Sequence, residues 1–163
     1  LAYTLHKYWT ETTQESIQPY VDFSQQRNVP LWLGESGENT DEWINSLRLL
    51  LEQNGVSWCF WTYKKMDATS CVVSVPSPPE WGAISAFADH PRTTFEEVRQ
   101  QRPPHTTITQ ALSSYLENIK LQNCTINPGF VNALGLSVPA HPLSNDPSVQ
   151  GELPVPVPKA QTP

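Results

Sequence analysis

The sequence predicts an α/β fold with parallel strands, and three observations carry that prediction. Short apolar or aromatic runs alternate with stretches of helical periodicity, in the order strand, helix, strand, helix, strand. The joints between them are short, which fits parallel strands linked by right-handed crossovers. The second strand, residues 29–33, is an unbroken apolar run ending at Gly34, as expected of a strand buried on both faces.

Each element follows from local chemistry. Residues 3–8 are aromatic and branched enough for a first strand. Ser16 is the expected N-cap of the first helix, with Pro19 tolerated in its first turn. Ile17, Tyr20, Val21 and Ser24 then share a face, and the helix ends near Arg27-Asn28. Thr40 or Asn39 caps the second helix, and Asp41 and Glu42 suit its positive end. Trp43, Ile44, Leu47, Leu50 and Leu51 form its apolar stripe, and Asn54-Gly55 stops it. Residues 56–63 form a third strand. A long loop is expected over residues 65–90, broken by Pro76, Pro78 and Pro79, then a short helix over 93–101. Ile108, Leu112, Tyr115, Leu116 and Ile119 mark an amphipathic helix. From Pro139 onward the chain is Pro-rich and reads as a disordered tail or linker.

Composition removes several function classes. At 163 residues, 38% hydrophobic and 16% charged, the chain can bury one sizeable core. A net charge of −6, with Lys64-Lys65 as the sole basic doublet, argues against a nucleic-acid partner, whose phosphates demand clustered cations. No apolar run approaches membrane-spanning length, so no membrane partner is expected. Cys59, Cys71 and Cys124 match no zinc spacing, and no metal or cofactor is expected. Cys59 and Cys71 could pair, although nothing in the sequence compels it. Asn123-Cys124-Thr125 reads as an N-glycosylation sequon. The chain opens Leu-Ala-Tyr-Thr without an initiator Met, which suggests an internal start and a leader lost with an upstream part.

Side chains two apart along a strand share a face. Alternation therefore groups His6 with Tyr8, Leu31 and Leu33 with Glu35, and Cys59 with Trp61, opposite Trp58 and Phe60. If the strands belong to a barrel, Leu31 and Leu33 fill its interior and Glu35 is the last inward residue at the C-terminal rim, where such barrels carry their sites. His6, Tyr8, Glu35 and Trp61 would converge there. A carboxylate between a Tyr hydroxyl and a sugar-stacking Trp suits attack on an anomeric carbon, and a hydrogen bond from Tyr8 favours the carboxylate form. Taken singly, Glu35 could be a solvated loop acid, His6 a structural histidine and Trp61 a core residue. Their agreement in phase across three strand ends is what favours a site.

His-Lys-Tyr at 6–8, Trp-Leu-Gly-Glu-Ser-Gly-Glu-Asn at 32–39 and Trp-Cys-Phe-Trp-Thr-Tyr-Lys-Lys at 58–65 resemble the last three strands of glycoside hydrolase family 5, over residues 5–102. The resemblance implies a partial (β/α)8 TIM barrel, strands 6–8 with their helices, and retaining hydrolysis of a β-linked polysaccharide or oligosaccharide such as cellulose. It implies Glu35 as nucleophile, His6 and Tyr8 as the family's His-x-Tyr, Trp61 bordering the cleaved sugar, and secretion. Glu38 and Asn39 suit substrate contact or loop stabilisation, and Trp81 either a sugar subsite or a loop anchor. The family's acid/base Glu, in an Asn-Glu motif on the fourth strand, has no counterpart, so the N-terminal part of the same barrel is expected as the missing partner. The expected division is a barrel portion over 1–103, a helical extension over 104–138 and a tail over 139–163. The alternative is a non-catalytic carbohydrate-binding module, which would need Trp32, Trp43 and Trp58 to face solvent.

Overall fold

The computed structural model describes residues 1–138, so the expected tail lies outside the described residues. Strand β1 (Tyr3–His6) leads into helix α1 (Gln14–Arg27), then β2 (Leu31–Glu35), α2 (Asp41–Gln53) and β3 (Ser57–Trp58). The three strands are parallel and lie in the order β1-β2-β3. Among the described residues there are six α-helices and two small three-stranded sheets, and neither sheet closes into a barrel.

The main core lies between this sheet and its two helices. Ile17 and Val21 of α1 and Leu47 and Leu51 of α2 pack on Leu31, Leu33 and Val56, with Leu5, Trp58 and Phe60 at the margin. Each of these side chains contributes roughly 1.5–3 kcal/mol on full burial. Alternation alone puts Leu31, Leu33 and Glu35 on one inward face. The structure corrects this: both leucines face the helices. Pairing runs Leu5 to Leu33 and then His6 to Glu35, so Gly34 is an extra residue in β2. Such a slip reverses the alternation, and Glu35 comes alongside His6 instead of following Leu33.

Other boundaries also move. Thr13, extended at φ −115°, precedes α1, one turn before Ser16, so Pro19 lies inside the helix rather than in its first turn. Tyr20 is exposed and carries the Lys7 ammonium 4.8 Å over its ring. Thr40 caps α2, its hydroxyl accepting from the Trp43 amide at 3.2 Å. Beyond Trp58 the third strand continues as single hydrogen bonds, Cys59 N–H to Leu33 and Trp61 N–H to Ser36.

The expected long loop is largely ordered. It contains β4 (Lys64–Met66), β5 (Val73–Val75) and α3 (Trp81–Asp89). Helix α4 (Phe95–Gln101) follows a capping box in which Thr94 accepts from the Glu97 amide and the Glu97 carboxylate accepts from the Thr94 amide. In α5 (His105–Asn118) the buried position is Ala111. Leu112 and Leu116, expected in the apolar stripe, are exposed, while Tyr115 packs on α3. Strand β6 (Thr125–Ile126) joins β5 antiparallel. Helix α6 (Pro128–Ala133) lies on α2, where Phe130 and Ala133 bury against Ile44, and Arg48 Nε donates to the Ala133 carbonyl at 2.9 Å. All three cysteines are free thiols, so Cys59 and Cys71 are not paired. No described helix is long and apolar enough to cross a membrane.

Candidate active site

The C-terminal ends of β1, β2 and the third strand meet at one edge of the sheet. There the Tyr8 hydroxyl donates to Glu35 Oε1 at 2.6 Å. His6 Nδ1 stands 3.6 Å from Glu35 Oε2. The Glu35 side chain keeps 43% of its surface open to solvent, so the second oxygen is reachable. The Tyr8 phenol is pushed well above the ordinary tyrosine range, first by burial, then by its hydrogen bond to Glu35 and by the charges of Glu35 and Glu38. It therefore stays protonated and remains a donor to the carboxylate.

The turn after Glu35 is held from two sides. Gly37 forms a parallel bridge with Trp61, and the Trp61 amide donates to the Ser36 carbonyl at 2.5 Å. Gly37 adopts φ +132°, and a Cβ there would lie 2.0 Å from the Trp61 carbonyl oxygen, so this close approach requires glycine. Glu38, also at positive φ, accepts the Trp9 indole N–H on its carbonyl at 3.2 Å and ion-pairs with Lys65 through its carboxylate. Asn39 turns inward on the backbone, its Oδ1 accepting from the Thr40 amide at 2.8 Å. The Ser36 hydroxyl is fully buried without a hydrogen-bond partner among the described residues.

Aromatic rings stand around this edge. Trp61, bridged to Gly37, is 52% exposed, and Trp9, beside Tyr8, is more exposed still. The structure thus brings together His6, Tyr8 and Glu35, and places Glu38 and Trp61 on the adjoining turn and strand. It does not bring in Trp81. That ring begins α3 and stacks on Tyr115 of α5, with centroids 5.2 Å apart. No hydrogen bond or ring contact links it to Glu35 among the described residues.

No family model matches this chain. A search of curated proteins also returns no match. A solved structure described as an endoglucanase is similar over part of it, at 19% identity and a TM-score of 0.33, covering 44% of this chain. The similar region spans 33% of that endoglucanase.

Sequence reasoning missed Trp9 and Lys65. The positive φ of Trp9 turns the chain so that its indole reaches the Glu38 carbonyl. Lys65 lies 27 positions from its partner, and no local pattern joins them. The only hint was that both belong to the quoted motifs.

Proposed function

We propose that the chain is part of a retaining glycoside hydrolase acting on a β-linked polysaccharide, cellulose or a related β-glucan, with Glu35 as nucleophile. The observation that carries this reading is the Tyr8 hydroxyl on Glu35 Oε1, at the ends of adjacent parallel strands beside the exposed Trp61. It leaves Glu35 Oε2 open on the side of His6. That oxygen attacks the anomeric carbon, and the bond to the leaving sugar oxygen breaks as a second carboxylic acid protonates it. The same group then deprotonates a water, which displaces Glu35 from the glycosyl ester. Trp61 offers a ring face on which the cleaved sugar can stack.

Retaining enzymes hold their two carboxyls about 5–5.5 Å apart. Glu38 gives its carboxylate to Lys65, so the second carboxyl in this reading comes from the N-terminal part of the same barrel, on a strand ending in Asn-Glu. The three parallel strands are then strands 6–8 of a (β/α)8 barrel, residues 1–103 their share of it and residues 104–138 a helical extension. The parent protein is secreted.

The binding-module alternative demands three outward tryptophans. Trp32 is exposed, but the Trp43 indole donates to the Thr10 carbonyl at 2.8 Å and Trp58 packs on Phe60. This favours the catalytic reading. The test is covalent trapping in a chain extended by the remaining barrel strands. A 2-fluoro glycoside with a leaving group that needs no proton should ester-link to Glu35, within the peptide 29–39. Glu35→Gln should lose the label and lower turnover by about a thousand-fold or more. A label on Glu38, or near-normal turnover by Glu35→Gln, refutes the assignment.

A further inference from the structure

We propose that Asn123 is the acceptor of an N-linked glycan when the chain passes through a eukaryotic secretory pathway. Asn123-Cys124-Thr125 is the sole Asn-x-Ser/Thr triplet in the sequence, and its middle residue is not proline. Sequons arise by chance and transfer precedes folding, so what the structure bears on is whether the folded chain tolerates a bulky sugar kept at this atom.

Asn123 ends a short 3-10 turn (Leu121–Asn123) between α5 and β6, and both Asn123 and Thr125 are exposed. The side-chain nitrogen makes one good hydrogen bond, Nδ2 to the Glu117 carbonyl at 2.9 Å, and one long contact of 3.4 Å to the Glu117 carboxylate. A glycosylated asparagine keeps one N–H. That N–H remains available to donate to the exposed turn, where the Glu117 carbonyl lies 2.9 Å from Nδ2. Glu117 loses little, since Lys120 already pairs with its carboxylate.

The middle and last residues fit as well. The Cys124 thiol is turned back onto the Asn118 and Lys120 carbonyls, at 3.3 Å each, so it does not crowd the acceptor. Thr125 lies in β6, which pairs with β5 on one side and has no strand on its other side among the described residues. A glycan here would stand beside that edge and shield it from pairing with other chains.

The step balances simply. The Asn123 amide nitrogen bonds to the anomeric carbon of an oligosaccharide carried on a lipid diphosphate. The bond from that carbon to the diphosphate oxygen breaks, the lipid diphosphate leaves, and one amide proton passes to a base. This inference is independent of the role assigned to Glu35.

The full 163-residue chain, fused to a secretory leader in a yeast host, provides the test. Both secreted and intracellular chain should be examined, because transfer occurs during translocation and precedes folding. The expected result is one discrete mass increment, removed by peptide N-glycosidase with Asp left at position 123. Asn123→Gln and Thr125→Ala should each lose the increment, and Thr125→Ser should retain it in part. An unmodified Asn123 peptide in the translocated wild-type chain overturns the proposal, as does an increment that survives Asn123→Gln.

Discussion

Gly37→Ala probes the contact that fixes the turn after Glu35. Two effects add at this position. At φ +132° a residue with a Cβ sits in a region nearly closed to it, which costs about 1–3 kcal/mol. The new Cβ would also stand 2.0 Å from the Trp61 carbonyl oxygen and 3.1 Å from its carbonyl carbon. Backbone cannot swing aside as a flexible side chain does, so the bridge must part and release the Trp61 N–H from Ser36. That lost hydrogen bond is worth about 0.5–1.5 kcal/mol net. The total destabilisation should be about 2–4 kcal/mol. Gly55→Ala separates the two effects, because Gly55 has φ +66° but open space around the added Cβ. Backbone conformation alone should cost about 1–2 kcal/mol there. Urea denaturation measures both variants, and amide exchange reads the Trp61 N–H directly. Equal destabilisation by the two substitutions, or a Trp61 amide still protected in Gly37→Ala, would refute the argument from close approach.

Two further outcomes rest on equally local geometry. A Cβ on Gly34 would meet Thr4 Oγ1 at 2.3 Å while His6 Nε2 stays in ordinary contact at 3.5 Å, so Gly34→Ala should destabilise by about 1–3 kcal/mol and Thr4→Ala should recover much of it. A double-mutant cycle showing simple additivity would contradict this. For Tyr8, the folded-state phenol holds its proton more tightly than the unfolded one, whose pKa is about 10, and the cause is burial with the Glu35 hydrogen bond. The stability this confers is complete below that value and is lost as pH rises above it. Stability measured upward from about pH 10 should therefore fall more steeply in wild type than in Tyr8→Phe, and parallel curves would count against it.

How much of this was legible in the sequence depended on the range of the forces involved. The stripe Ile44, Leu47, Leu51 of α2 and the run Leu31, Leu33 of β2 were readable because burial follows period. The convergence of His6, Tyr8 and Glu35 was readable from spacing, but for the wrong reason. Alternation would have carried Glu35 with Leu33 toward the helices, and the extra residue Gly34 redirects it. No single strand announces such a slip, which is a property of the pair. The second sheet was hidden because its strands are two or three residues long, and because distant bonds hold them. Lys64 Nζ reaches the Ile119 carbonyl at 2.6 Å, and Asn127 Nδ2 reaches the Cys71 carbonyl at 2.8 Å. In α5 the helical period was right, yet Ala111 is the residue buried, because nothing among the described residues covers Leu112 and Leu116.

Helix α2 is a wall shared by two interiors that meet at Trp43 and Phe60. Its Leu47 and Leu51 close the chamber over the sheet, while Ile44 closes the smaller one with Phe130 and Ala133. The second chamber is completed by a bond spanning 85 positions, from Arg48 to Ala133. Closing so long a loop is entropically unfavourable until α2 already stands. The smaller chamber should therefore assemble last and open first on warming, as a sub-global unit. Removing α6 would expose Ile44 to water and strip cover from Trp43 and Phe60, which also border the sheet's chamber. A protease that trimmed the chain after α5 would thus convert a hidden apolar side of α2 into a sticky one.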